Sequence, residues 1–119
     1  MTSMRNPDAK HIDFKELEGM FSDNPRFLPS NLDMVYERNG HFLIAEWKRE
    51  NEDISGGQRL LLHRLSKLPR VKVLLVIGDT DDGMNVGMVY QITPEDVLFI
   101  NQGVDGLKQI INDWYRSAE

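Results

Sequence analysis

The chain contains no cysteine. Disulfides and thiolate metal sites are therefore excluded, and a cytoplasmic setting is the expectation. No apolar run approaches the ~20 residues that a membrane-spanning helix needs, so no membrane partner is expected. The first residues, MTSMRNPDAKH, are polar and carry no secretory leader pattern. There is no internal repeat and no low-complexity segment. The G-x-x-x-x-G-K phosphate loop is missing, and Gly56-Gly57 is too short to replace it. His11, His41 and His63 lack metal-ligand spacing, and no serine–histidine or cysteine nucleophile arrangement is visible. What is present is ordinary for one globular domain over residues 1–119, with 40% hydrophobic and 28% charged residues.

The net charge of −5 argues against a general polyanion binder, but its distribution is uneven. Residues 48–72 carry seven basic groups against three acidic ones, a balance of +4, whereas residues 1–47 balance to −3 and residues 73–119 to −6. Lys48, Arg49, Arg59, Arg64, Lys67, Arg70 and Lys72 thus form either a solvated helix face or a phosphate-contacting surface.

The most informative stretch is NLDMVYERNGHFLIAEWK, residues 31–48. Asn39-Gly40 is a strong signal for a two-residue type I′ turn, because both central positions must accept positive φ. Such a turn fixes the register. Arg38 faces His41, Glu37 faces Phe42, Val35 faces Ile44, and Asp33 faces Glu46. Side chains alternate along a strand, so Asp33, Glu46 and Lys48 share one face. Like charges placed opposite each other are destabilising. They are tolerated if a hard divalent cation sits between them, and Mg²⁺ is typically held by one or two carboxylates plus water and phosphate. With apolar Val35, Phe42 and Ile44 on the same face, the pair is expected at the rim of a buried surface. The competing reading is that both acids are edge-strand charges facing water.

Asp33 followed by Glu46-Trp47-Lys48 on the next strand resembles the motif of the PD-(D/E)XK nuclease superfamily. The resemblance spans about residues 12–78. The proline is displaced, since the sequence runs Pro29-Ser-Asn-Leu-Asp33. It implies an α/β fold with the αβββαβ restriction-endonuclease-like core, a mixed central sheet flanked by helices. It implies Mg²⁺, with Mn²⁺ able to substitute, held by Asp33, Glu46 and the backbone carbonyl of Trp47, and a catalytic role for Lys48. Many relatives carry a polar residue at the place of Gln58, which makes Gln58 a further site residue, and many use an acid on the first helix. Glu16 is chosen for that place over Glu18. Compact relatives include Holliday junction resolvases and phage-encoded enzymes, many of them dimers. The implied function is hydrolysis of phosphodiester bonds in DNA by a structure-directed endonuclease, with a homodimer allowed. The alternative is a non-catalytic nucleic-acid- or protein-binding module on the same fold, and an enzyme of another kind using the same carboxylates stays open.

The remaining elements follow from periodicity. DFKELEGMFS, residues 13–22, places Phe14, Leu17, Met20 and Phe21 on one side of a short helix, with Asp13 and Glu16 as a capping box. A short strand is expected at 26–28, then the hairpin strands at 32–38 and 41–49. Ser55 can cap a helix over 56–68 that Pro69 ends. Gln58 aligns there with Leu61, Leu62 and Leu65 and points inward, and it also completes a capping box with Ser55. Arg59, Arg64, Lys67 and the nearby Arg49 are candidates for phosphate contacts. VKVLLVIG, 71–78, reads as a strand buried on both faces. After an acidic turn come strands at 87–92 and 96–100. A closing helix over 104–117 puts Val104, Leu107, Ile110, Ile111 and Trp114 on one face.

Overall fold

The hairpin forms as its turn dictates. In the computed structural model, which describes residues 13–54 and 56–119, Asn39 and Gly40 take φ of 52° and 82°. Strands β1 (Met34–Arg38) and β2 (His41–Lys48) run antiparallel from this turn. Arg38 pairs with His41, Glu37 with Phe42 and Val35 with Ile44, which is the register counted from the sequence. Helix α1 (Gly56–Ser66) then returns the chain to β3 (Val71–Asp79), which lies parallel to β2. Strands β4 (Asn85–Ile92) and β5 (Val97–Gln102) add antiparallel, and α2 (Gly103–Ser117) closes the chain. The sheet is mixed, in the order β1-β2-β3-β4-β5.

The central strand β3 is buried on both faces: Val73, Leu74, Leu75 and Val76 are all at most 7% exposed. Alternation then sorts the core into two layers. On one face Leu62 of α1 packs with Val73, Leu75 and Ile92. On the other, Leu107, Ile110 and Trp114 of α2 pack with Leu43, Ala45, Leu74, Val76 and Val89. The hairpin also secures the end of α2. Arg38 donates to the Tyr115 and Ala118 carbonyls and lies 3.9 Å over the Tyr115 ring, and Asn39 donates to the Ala118 carbonyl.

Several boundaries differ from the sequence reading, each for a local reason. Helix α1 stops at Ser66, and Lys67 and Leu68 complete a turn by bonding the carbonyls of Arg64 and Leu65. Strand β5 begins after Asp96, because Asp96 is engaged with Thr93 in the β4–β5 turn through Thr93 Oγ1 and the Asp96 carbonyl. Strands β3 and β4 run longer at their shared end. At Gly78 a Cβ would sit 2.1 Å from the Asn85 carbonyl oxygen, so only glycine lets the strands approach there. The face around the carboxylates is also more open than expected. Ile44 is 6% exposed, but Val35 and Phe42 are 50% and 39% exposed.

The chain divides into two compact units between Asn31 and Leu32. In the first, the helix expected over 13–22 is replaced by a 3₁₀ turn of three residues, Lys15–Leu17. Asp13 does accept a backbone N–H, from Lys15 at 2.9 Å, but Gly19 takes φ of 85° and bonds to the Pro25 carbonyl, which ends helical progress. Ten residues with a central glycine give too few turns to offset helix nucleation. Residues 26–28 form no strand. They follow turns closed by Asn24 N–H to Phe21 and Phe27 N–H to Asn24. The described residues therefore carry a ββαβ run followed by two strands and a helix, without the first helix and first strand of an αβββαβ core. The cap assigned to Ser55 lies outside the described residues. Among the described residues, no helix is long and apolar enough to cross a membrane.

Candidate active site

Asp33 directly precedes β1 and extends the hairpin register toward Glu46, the third-last residue of β2. Its Oδ2 accepts the backbone N–H of Trp47 at 2.8 Å. That bond orients the Asp33 carboxyl and ties it to the residue between Glu46 and Lys48. The Trp47 side chain turns to the opposite face and packs against the α2 core cluster, as alternation requires.

Glu46 is partly buried on the α1 face. Its carboxyl is pushed up from 4.5 to about 7. Burial is the largest cause, followed by a hydrogen bond to the Asp33 side chain and the negative charge of Asp33. A bond from Gln58 acts in the other direction, because it stabilises the charged form. That bond runs from Gln58 Nε2 to Glu46 Oε2 at 2.7 Å. Gln58 lies in the first turn of α1, so the crossover between two parallel strands is what brings it over the C-terminal end of β2. The inward orientation read from helical spacing is present, and its polar partner is Glu46.

Lys48 is the last residue of β2 and shares the Glu46 face by alternation. It forms no ion pair with either carboxylate; among the described residues the ion pairs involve Arg49, Asp79 and Asp81. Its ammonium is thus not consumed by Glu46. No group of three or more His, Asp or Glu side chains converges among the described residues. Glu16 lies in the 3₁₀ turn of the first unit.

The basic candidates separate. Arg49 is exposed but paired with acids at the β3–β4 loop. Its Nη2 bonds Asp81 Oδ1 at 2.9 Å, its Nη1 bonds Asp81 Oδ2, and Asp79 lies 3.9 Å away. The sequence showed an acidic turn but gave no direct sign of this pairing across 32 positions. The signal lay in the parallel register: Lys48 sits beside Ile77, so the residue after Lys48 emerges next to Asp79 and its loop. Arg59, Arg64 and Lys67 are exposed and form no ion pairs among the described residues. Arg59 precedes by four residues His63, whose Nδ1 is 2.7 Å from the Thr93 carbonyl, so these two share the β4 side of the helix. Arg64 follows Leu60 on a different side.

The partly buried Glu46 and the exposed Asp33 form a donor set that fits a hard divalent ion whose coordination water and phosphate would complete. Such an ion would offset the negative charge that the two carboxylates bring together. Comparison with protein-family models, with curated proteins and with solved structures finds no match.

Proposed function

We propose that this chain is a Mg²⁺-dependent nuclease of the PD-(D/E)XK kind that hydrolyses phosphodiester bonds in DNA, as a structure-directed endonuclease. The observation that carries the reading is the Asp33–Glu46 pair, in which burial and mutual charge push the Glu46 carboxyl up to about 7. The reading takes the β1–β2–α1–β3 run as the part of the αβββαβ core that bears the site.

Asp33 and Glu46 would hold the ion, with Mn²⁺ able to substitute, and the Trp47 carbonyl is the third ligand that the resemblance implies. When bound, the ion would lower the pKa of a water and neutralise charge on the phosphate oxygens. The chain's own residues do the rest. Gln58 holds the Glu46 carboxylate in one orientation and favours its ionised form. The Trp47 N–H orients the Asp33 carboxyl. Lys48, free of an ion pair, directs its ammonium to the attacking water or to the oxygens on which charge develops as water adds to phosphorus and the P–O bond breaks. Exposed Arg64 and Lys67 supply backbone contacts, each contributing a salt-dependent increment to binding.

The test is a panel of labelled branched, single-stranded and duplex DNA with Mg²⁺, Mn²⁺, Ca²⁺ or EDTA. The reading expects cleavage in Mg²⁺ and Mn²⁺ and none in EDTA. No cleavage of any substrate in Mg²⁺ or Mn²⁺ would refute it.

A further inference from the structure

We propose that Asp81 is an electrostatic lock on Arg49, so that the loop between β3 and β4 limits how tightly the site grips a phosphate backbone. The inference rests on the nuclease reading and deepens it by naming a residue that sets affinity and salt sensitivity.

Arg49 leaves the end of β2 just after Lys48, and its guanidinium lies at that strand end beside the β3–β4 loop. Its Nη1–Nη2 fork is the part of the guanidinium suited to two oxygens of one phosphate. In this structure the two oxygens belong to Asp81. The two engagements use the same donors, so a phosphate can take this fork only if Asp81 lets go.

The loop is built to present Asp81. Asp79 Oδ1 lies 3.3 Å from the Asp81 backbone N–H and 3.4 Å from Asn85 Nδ2. Asn85 also donates to the Asp82 carbonyl at 3.4 Å. Asp81 bridges to Gly83, whose φ of 75° closes the loop. Gly78 admits the Asn85 carbonyl where no side chain could fit. These contacts fix the backbone at Asp81 without help from Arg49.

The lock is also easily opened. The Arg49 and Asp81 side chains are 52% and 63% exposed. An ion pair this exposed is screened by water and salt. A phosphodiester offers comparable geometry and comes with neighbouring charges, so a substrate seated on the metal site can displace Asp81. Asp79 and Asp82 still oppose a strand that runs on over the loop, which leaves the exposed basic residues of α1 as the favoured path.

Asp81→Asn tests this, because it keeps the loop's shape and removes the nearer of the two charges paired with Arg49, Asp79 lying 3.9 Å away. Binding is measured in Ca²⁺ with a fluorescently labelled DNA single strand and with the matching duplex. Asp81→Asn should bind roughly three- to tenfold more tightly at low salt, with the slope of log K against log salt steeper by ~0.7–0.9, one extra phosphate contact. Asp82→Asn removes an equal charge without touching Arg49 and should change binding less. The gain should vanish in Arg49→Ala/Asp81→Asn. Asp81→Ser serves as a second variant should the asparagine alter the loop, and thermal melts check that each variant folds. Wild-type binding with no gain in either Asp81 variant beyond that of Asp82→Asn would overturn the lock alone. So would a gain that survives loss of Arg49. Absence of DNA binding by wild type and Asp81 variants together would overturn the nuclease reading as well.

Discussion

Replacing Glu46 by glutamine should stabilise the metal-free protein above neutral pH. Glu46 rises from 4.5 in the free carboxyl to about 7 in the fold. The folded state thus binds the Glu46 proton more tightly than the unfolded state does. Its contribution is fully present below pH 4.5 and is lost as pH climbs through 7, which is the sign for a raised carboxyl. A fully buried group shifted this far would forfeit ~3.4 kcal/mol, at ~1.36 kcal/mol per unit. Glu46 is only partly buried, so solvent screening reduces this to ~1–2 kcal/mol. Glutamine keeps the shape, can still accept from Gln58, and donates to Asp33 at every pH. In EDTA, the Tm difference between Glu46→Gln and wild type should therefore be near zero at pH 4.5 and grow to about 5–10 °C by pH 8.5. Subtracting the two melting curves cancels the other carboxylates. Added Mg²⁺ should close the gap by raising the Tm of wild type alone. A variant less stable than wild type at pH 8.5 without metal, or a difference that does not change with pH, would refute the reasoning.

Three further outcomes are expected. Lys48→Ala should lower single-turnover cleavage by ~10²–10⁴-fold while leaving DNA binding in Ca²⁺ nearly intact, because its ammonium acts on developing charge; arginine should not rescue it. Gln58→Ala removes the bond that favours ionised Glu46, so the pH at which Mn²⁺ binding is half-maximal should move upward, and a midpoint that stays or falls would deny Gln58 that role. Gly78→Ala should cost ~2–4 kcal/mol in urea unfolding, since its Cβ would meet the Asn85 backbone oxygen at 2.1 Å; an unchanged midpoint would mean that β3 and β4 do not approach so closely.

The hairpin was legible because a two-residue turn leaves one register, and that register is local. Strand β3 and helix α2 were legible for the same kind of reason: a continuous apolar run and a 3.6-residue stripe each specify burial without knowing the partner. Gln58 was half legible. Its spacing showed that it pointed inward, but only the parallel pairing of β2 and β3 reveals that Glu46 receives it. The helix over 13–22 was over-read, since its stripe of Phe14, Leu17, Met20 and Phe21 outweighed Gly19. The pairing of Arg49 with Asp81 was not legible, because the partner comes from another element. Likewise, the Glu46 shift depends on burial beneath α1 and on Asp33 together, and neither is a property of a short motif.

The most direct measurement is Mg²⁺-dependent cleavage of one labelled branched DNA by three proteins prepared identically: wild type, Asp33→Asn and Glu46→Gln. The account predicts cleavage by wild type that EDTA stops, and loss of at least about 10²-fold in rate for each variant, with both variants folded as judged by their melting curves. Cleavage by either variant at the wild-type rate would contradict it, since the activity would then owe nothing to the carboxyl pair.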